Sequence, residues 1–314
     1  MVVKPGRIGV AGTGKFLDTT IMESDTEAGT GDVHREGVVI GDSENLDARV
    51  AVSPLGALRA SSSMGNSEIT DGFPGYSIVH KFGRNTDVGS GFTPVSLGGL
   101  FRTPQVGDAT ALRVKAGDVN DTAGGSGARS VVVLGIGPSG DEVSAILTTA
   151  GVSAGPSSSV TFIRAYRAYV NESGTYGTAT VGSHAADIII ENAAGTEDWI
   201  GIEFEGLSRS QSQTAVYTIP NGKVGYLQSF FITTATNKPV DLVLLRRNDI
   251  LQTSPPYSSI ITQTEFTGIQ SPFVSNYTVP VGPFSANTDM GWMARVATGT
   301  ASVSVDFEIL LRDV

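Results

Sequence analysis

The stretch that most constrains this chain is residues 301–311, read ASVSVDFEILL. Ala301, Val303, Val305, Phe307, Ile309 and Leu311 are apolar, and Ser302, Ser304, Asp306 and Glu308 stand between them. A pleated strand turns successive side chains to opposite faces, so this run predicts a strand with one face in a core and one toward water. Each large side chain buried this way contributes roughly 1.5–3 kcal/mol. Such a strand can anchor a sandwich.

The segments before it have the same character. Residues 214–220 run into Asn221-Gly222, a chain-reversing dipeptide, and residues 223–233 return as a strand. Further runs at 240–246, 272–280 and 289–296 give the dense strand spacing of a sandwich. Upstream, residues 111–115 precede a glycine-rich loop at 117–127. A hairpin follows, with strands at 129–136 and 142–148 around Gly137-Pro-Ser-Gly140. A long strand at 160–170 and shorter runs at 178–181, 187–191 and 199–204 complete a first sandwich, joined to the second through 207–213. Residues 1–104 read differently, because Gly, Ser, Asp and Thr interrupt nearly every apolar run. Residues 38–40 and 48–52 predict short strands and 54–60 a short helix-like patch. The expected fold is all-β: an extended N-terminal arm over 1–104, then two antiparallel, jelly-roll-like β-sandwich domains over 105–213 and 214–314. The arm buries too little against itself to offset its backbone entropy, so a neighbouring subunit is expected to order it. The competing expectation is that it packs as long loops on its own sandwich.

Composition narrows the function classes. With 21 basic against 31 acidic residues and a net charge of −10, the chain lacks the clustered cations of a nucleic-acid sheath. Hydrophobic content is 40%, no apolar run reaches membrane-spanning length, and the first residues lack the apolar core of a signal peptide. Neither nucleic acid nor membrane is an expected partner. The absence of cysteine excludes disulfides and thiolate metal sites and suits synthesis in a reducing cytoplasm.

The motifs that resemble catalytic ones fall short. Gly9-Val-Ala-Gly-Thr-Gly-Lys15 fits the start of a phosphate-binding loop, but Phe16 stands where the magnesium-holding hydroxyl belongs and no helical run follows. His34, His80 and His184 are far apart and lack metal-ligand spacing. Asp42-Ser-Glu-Asn-Leu-Asp47 and Asp118-Val-Asn-Asp121 depart from calcium-loop spacing and read as turns. Phe162 and Tyr166 share one face of the predicted 160–170 strand and Tyr169 takes the other, a pattern of core packing rather than sugar stacking. No catalytic residue, metal ligand, cofactor or enzymatic activity is expected. The candidate subunit-docking segment is His80, Phe82, Arg84, Asn85 and Asp87, where charged and aromatic groups alternate beside a glycine-rich loop.

Three passages resemble virion structural proteins of tailed bacteriophages, especially marine short-tailed phages. They are residues 79–88 (VHKFGRNTDV), residues 120–133 (NDTAGGSGARSVVV) with the hairpin GPSGDE at 137–142, and residues 215–226 (AVYTIPNGKVGY) with the acidic strand at Asp306. Together they span about residues 79–314. The resemblance implies a non-enzymatic virion part, such as a capsid decoration, vertex or head-associated component, made in the host bacterial cytoplasm. It implies a symmetric homo-oligomer, a trimer first of all, bound to other virion proteins such as the major capsid protein. The alternative is a carbohydrate-binding host-recognition adhesin, or a tail fibre or connector protein.

Overall fold

The computed structural model describes residues 75–97, 109–176, 182–204, 209–234, 238–252, 254–270 and 272–314, with backbone alone at 278–279 and in five short strands before residue 60. The chain divides into two compact units, Met1–Glu68 and Ile69–Val314. Among the described residues every regular element is a strand, and every strand pairing is antiparallel.

In the first unit β1 (Val3–Gly9), β2 (Phe16–Met22) and β3 (Val38–Val39) form one sheet in that order. The pair β4 (Ala51–Val52) and β5 (Leu58–Arg59) forms another. Residues 58 and 59 are thus extended where a helix-like patch was predicted, and the rest of that patch lies outside the described residues.

The second unit begins with β6 (Tyr76–Val88) and β7 (Thr93–Pro94). Then come β8 (Thr110–Ala116), β9 (Ala128–Ile136), β10 (Glu142–Thr148), β11 (Thr161–Phe162), β12 (Arg164–Ser173), β13 (Ile188–Asn192) and β14 (Asp198–Ile202). The last group is β15 (Val216–Thr218), β16 (Lys223–Thr234), β17 (Val240–Arg247), β18 (Ile260–Ile269), β19 (Phe273–Phe284), β20 (Asp289–Val296) and β21 (Ala301–Asp313).

Four sheets result. The first two, ordered β10-β9-β12 and β11-β8-β13-β14, share a buried cluster that includes Leu112, Val131, Phe162, Ile190 and Ile200. The other two, β15-β20-β17-β18 with β7 on β20, and β19-β16-β21-β6, share a second cluster built on Phe230, Leu242, Trp292, Val305 and Phe307. In this second cluster the Trp292 ring lies 5.1 Å from Phe230 and 6.5 Å from Phe307.

The alternation in residues 301–311 is realised residue by residue: all six apolar side chains are buried, and the polar ones between them are not. β21 sits inside its sheet, with β16 on one side and β6 on the other.

Two stretches differ from the sequence expectation. Residues 75–97, assigned above to the arm, belong to the second unit: β6 pairs with β21 from Tyr76↔Arg312 to Val88↔Ala301. The inward positions of β6 include Lys81 and Gly83, which break the apolar pattern, so β6 is held by its neighbours' surfaces more than by its own hydrophobicity. The predicted long strand at 160–170 is broken at Ile163. Thr161 and Phe162 pair with β8, whereas β12 pairs with β9 in another sheet. Phe162 and Tyr166 therefore fall in different buried clusters instead of sharing a face.

Candidate functional site

Two groupings in the second unit carry side chains of functional interest. The first is the outer face of the sheet β19-β16-β21-β6. Cross-strand register sets Phe82, Asp306, Phe231 and Val274 in one row, and His80, Glu308, Ser229 and Asn276 in the next. A further row holds Ile78, Leu310 and Tyr226. Three of the predicted docking residues, His80, Phe82 and Arg84, project together onto this face, with the His80 and Phe82 rings 6.0 Å apart.

Asn85 and Asp87 do not join them. A register shift between Ala301 and Val303 turns β6 at this point. The Asn85 side chain then donates to Pro94 O at 2.9 Å and accepts from the Asp87 amide at 2.9 Å, which ties the corner rather than presenting a contact. Glu308 accepts from Ser229 Oγ at 2.8 Å. Burial raises the Asp306 carboxyl above the usual carboxylate range, with His80 opposing the shift.

The second grouping lies where the two clusters meet. Lys81 is 2% exposed, donates from Nζ to Tyr166 O, and stands 5.5 Å from the Tyr166 ring centre. Burial holds its amine well below the usual lysine range, and the charge of Arg167 adds to the effect. Tyr166 and Tyr217 meet edge to face at 5.0 Å, and both hydroxyls donate to Glu142 Oε1, at 2.8 and 3.3 Å. Burial first and the Glu142 carboxylate second push both phenols upward. Beside them, buried Arg164 binds Asp289 through Nε at 2.8 Å, and Thr218 Oγ1 donates to the same carboxylate at 2.7 Å.

This seam joins β6, β10, β12, β15 and β20. It contains an amine whose burial works against its charge and two phenols whose burial holds their protons, and a reactant would need access to Nζ that the packing denies. The seam therefore reads as a joint. Of its residues only Tyr166 entered the sequence reading, as a core side chain, and the one further signal was a lysine at an inward position of an alternating strand, between Val79 and Gly83.

The remaining candidates take structural places. After β1 the chain continues into β2, with Gly9 opposite Phe16, so an antiparallel hairpin stands where a phosphate loop requires a helix; residues 10–15 lie outside the described residues. Asp118 Oδ1 accepts the Asn120 amide at 2.7 Å in a turn. Buried Asp121 accepts the amides of Ala128, Ala185 and Ala186 at 2.7, 3.0 and 3.3 Å, stapling two loops together. His184 is buried edge-on to Phe204 at 5.7 Å, and burial lowers its pKa against the pull of Asp121. His34 and residues 42–47 lie outside the described residues. Among the described residues, no three or more His, Asp or Glu side chains converge as a metal site, and no helix is long and apolar enough to cross a membrane. No family model, curated protein or solved structure matches the chain.

Proposed function

We propose that this chain is a non-enzymatic structural component of a virion, of the tailed-bacteriophage type, assembled as a symmetric homo-oligomer on or beside the capsid. In this reading the second unit comprises two antiparallel, jelly-roll-like β-sandwiches, and residues before it reach toward neighbouring subunits. What supports the reading is the resemblance to phage virion proteins noted for residues 79–88, for 120–133 with the hairpin at 137–142, and for 215–226, stretches that lie in β6, the β9–β10 hairpin and the β15–β16 turn. The density of antiparallel pairing and a broad sheet face lined by Phe82, Phe231 and Val274 suit a part whose work is done by surfaces. The expected partners are further copies of the chain and other virion proteins such as the major capsid protein.

The test is quantitative mass spectrometry of purified particles from cells that express the chain. Stoichiometric incorporation is the expected result. Copy numbers in the hundreds assign it to shell or decoration, and a dozen or fewer assign it to a connector or fibre. Absence from particles, with the chain recovered free in the lysate, overturns the proposal.

A further inference from the structure

The turn between β15 and β16 carries chemistry as well as shape. Residues 220–223 form a β-turn in which the Lys223 amide donates to Pro220 O at 3.3 Å and Gly222 takes φ 70°. Asn221 and Gly222 are both exposed, and nothing lies within 4 Å of where a Cβ on Gly222 would stand. The Gly222 carbonyl accepts the Val314 amide at 3.0 Å, whereas its own N–H has no partner among the described residues. This is the one Asn-Gly pair in the sequence, and every other asparagine is followed by a residue with a side chain. A backbone nitrogen that is free, exposed and unhindered by a Cβ therefore sits beside an exposed carboxamide.

We propose that Asn221 is a site of spontaneous deamidation in the folded protein, and that its product loosens the joint between the two buried clusters. The Gly222 nitrogen attacks Asn221 Cγ and gives its proton to solvent base. The Cγ–Nδ2 bond breaks, and the side-chain nitrogen leaves as ammonia after taking a proton from water. The five-membered succinimide that remains adds one water across either of its ring C–N bonds, which leaves aspartate or isoaspartate at this position. Nothing is oxidised or reduced, and solvent supplies both the water and the base.

Asn221 stands where such a change is felt. Its backbone N–H donates to Gly140 O at 2.7 Å, and Nδ2 donates to Asp141 Oδ1 at 3.3 Å. These bonds tie the β15–β16 turn, which belongs to the second pair of sheets, to the β9–β10 hairpin of the first pair. Ser139 Oγ already donates to Asp141 Oδ2 at 2.7 Å, so the Asn221 amide serves the other oxygen. Aspartate there exchanges a donor for an acceptor and sets two carboxylates side by side. Isoaspartate adds a methylene to the main chain between the N–H that holds Gly140 and the carbonyl that holds Val314. Losing one hydrogen bond to a like-charge contact lowers the melting temperature by about 2–4 °C in a unit of this size. The chemistry is the same whatever the chain assembles into.

The test is to incubate the full, folded chain in mildly alkaline buffer and follow the tryptic peptide Ser210–Lys223, in which Asn221 is the only asparagine. Digestion is done under mildly acidic conditions, where the reaction is slow. The same peptide made synthetically sets the pace of an unconstrained chain, and Asn221→Gln and Asn221→Asp are carried alongside. The peptide from the folded chain is expected to convert to aspartate and isoaspartate forms, each one mass unit heavier, and faster as pH rises. The aged wild type should melt about 2–4 °C lower than the fresh protein. Asn221→Asp should begin below the fresh wild type, and Asn221→Gln should hold its starting value throughout. No conversion in the folded chain over the time in which the synthetic peptide converts fully overturns the site, because the turn then protects its own asparagine. Conversion with no fall in melting temperature overturns the loosening of the joint.

Discussion

At the scale of single residues, the alternation in residues 301–311 makes two neighbouring substitutions opposite in effect. Val305 is fully buried, and Val305→Asp places an unpaired carboxylate in the Trp292–Phe307 cluster at a loss of about 4 kcal/mol or more. Asp306 lies on the outer face, and Asp306→Ala is expected to change stability by no more than about 0.5 kcal/mol. Urea melts of both variants check the assignment, and equal losses would mean the faces are reversed. Lys81 gives a subtler case. Its folded pKa lies below the model-compound value of 10.5, so between the two the unfolded chain holds more protons than the folded one. Stability gained from this group therefore rises with pH across that window and is complete above 10.5. Tyr166 and Tyr217 act in the opposite sense: their pKa values are raised, so their contribution is full below 10.0 and lost as pH rises past it. Lys81→Met should stabilise the protein by on the order of 1–2 kcal/mol at pH 7, since the desolvated ammonium costs more than its one hydrogen bond returns. It should also flatten the rise in stability as pH increases toward 10.5. Urea melts across that range decide, and a variant that keeps the wild-type slope would show that Lys81 does not cause it.

Individual elements were legible in the sequence in proportion to how much of their burial they supply themselves. β21, β9 and β16 carry their own apolar faces and were read correctly as strands. β6 was not recognised as a strand of this sheet, because its inward side holds Lys81 and Gly83 and relies on surfaces that lie far away in sequence. The break at Ile163 was invisible for a different reason. Residues 160–170 alternate well enough for one strand, and only the three-dimensional placement of β8 and β9 decides that the chain changes sheets there. Of the docking segment, the structure brings His80, Phe82 and Arg84 to one face of β6, as alternate positions of a strand must be, whereas the bulge that turns Asn85 away follows from β21. The buried seam could not be read as a unit, since Glu142, Tyr166 and Tyr217 meet only through tertiary packing. Gly83 shows how tight that packing is. An added Cβ there would stand 2.2 Å from both Val95 O and Ala215 N, which are backbone atoms on two sides. Gly83→Ala should cost about 3 kcal/mol, the upper part of the usual overpacking range, whereas Gly89→Ala meets open space and should stay within about 0.5 kcal/mol. Chemical denaturation of the pair tests this, and a silent Gly83→Ala would mean that β6 is not clamped as described.

For the molecule as a whole, the seam makes the two buried clusters dependent on each other. Arg164 follows the strand break and Asp289 opens β20, so their ion pair ties the first two sheets to the last two. Residues Ile69–Val314 should therefore unfold as one cooperative unit in calorimetry. Asp289→Ala, which leaves Arg164 buried without its counter-ion, should cost about 3–5 kcal/mol and lower the van't Hoff enthalpy below the calorimetric one as the halves separate. Two resolved transitions in the wild type would show that the seam does not couple them. The place of β21 has a further consequence for biosynthesis. Its partner β6 leaves the ribosome roughly 230 residues earlier, which at about 5–20 residues per second is a delay on the order of ten to forty seconds. Throughout that interval β6 has no strand to pair with, and the cluster around Phe230 and Trp292 lacks the wall that Val303, Val305, Phe307 and Ile309 provide. This half of the protein therefore closes only after residues 301–313 have been made, and a chain stalled short of residue 301 presents an open sheet to whatever chaperone or sister chain is nearest.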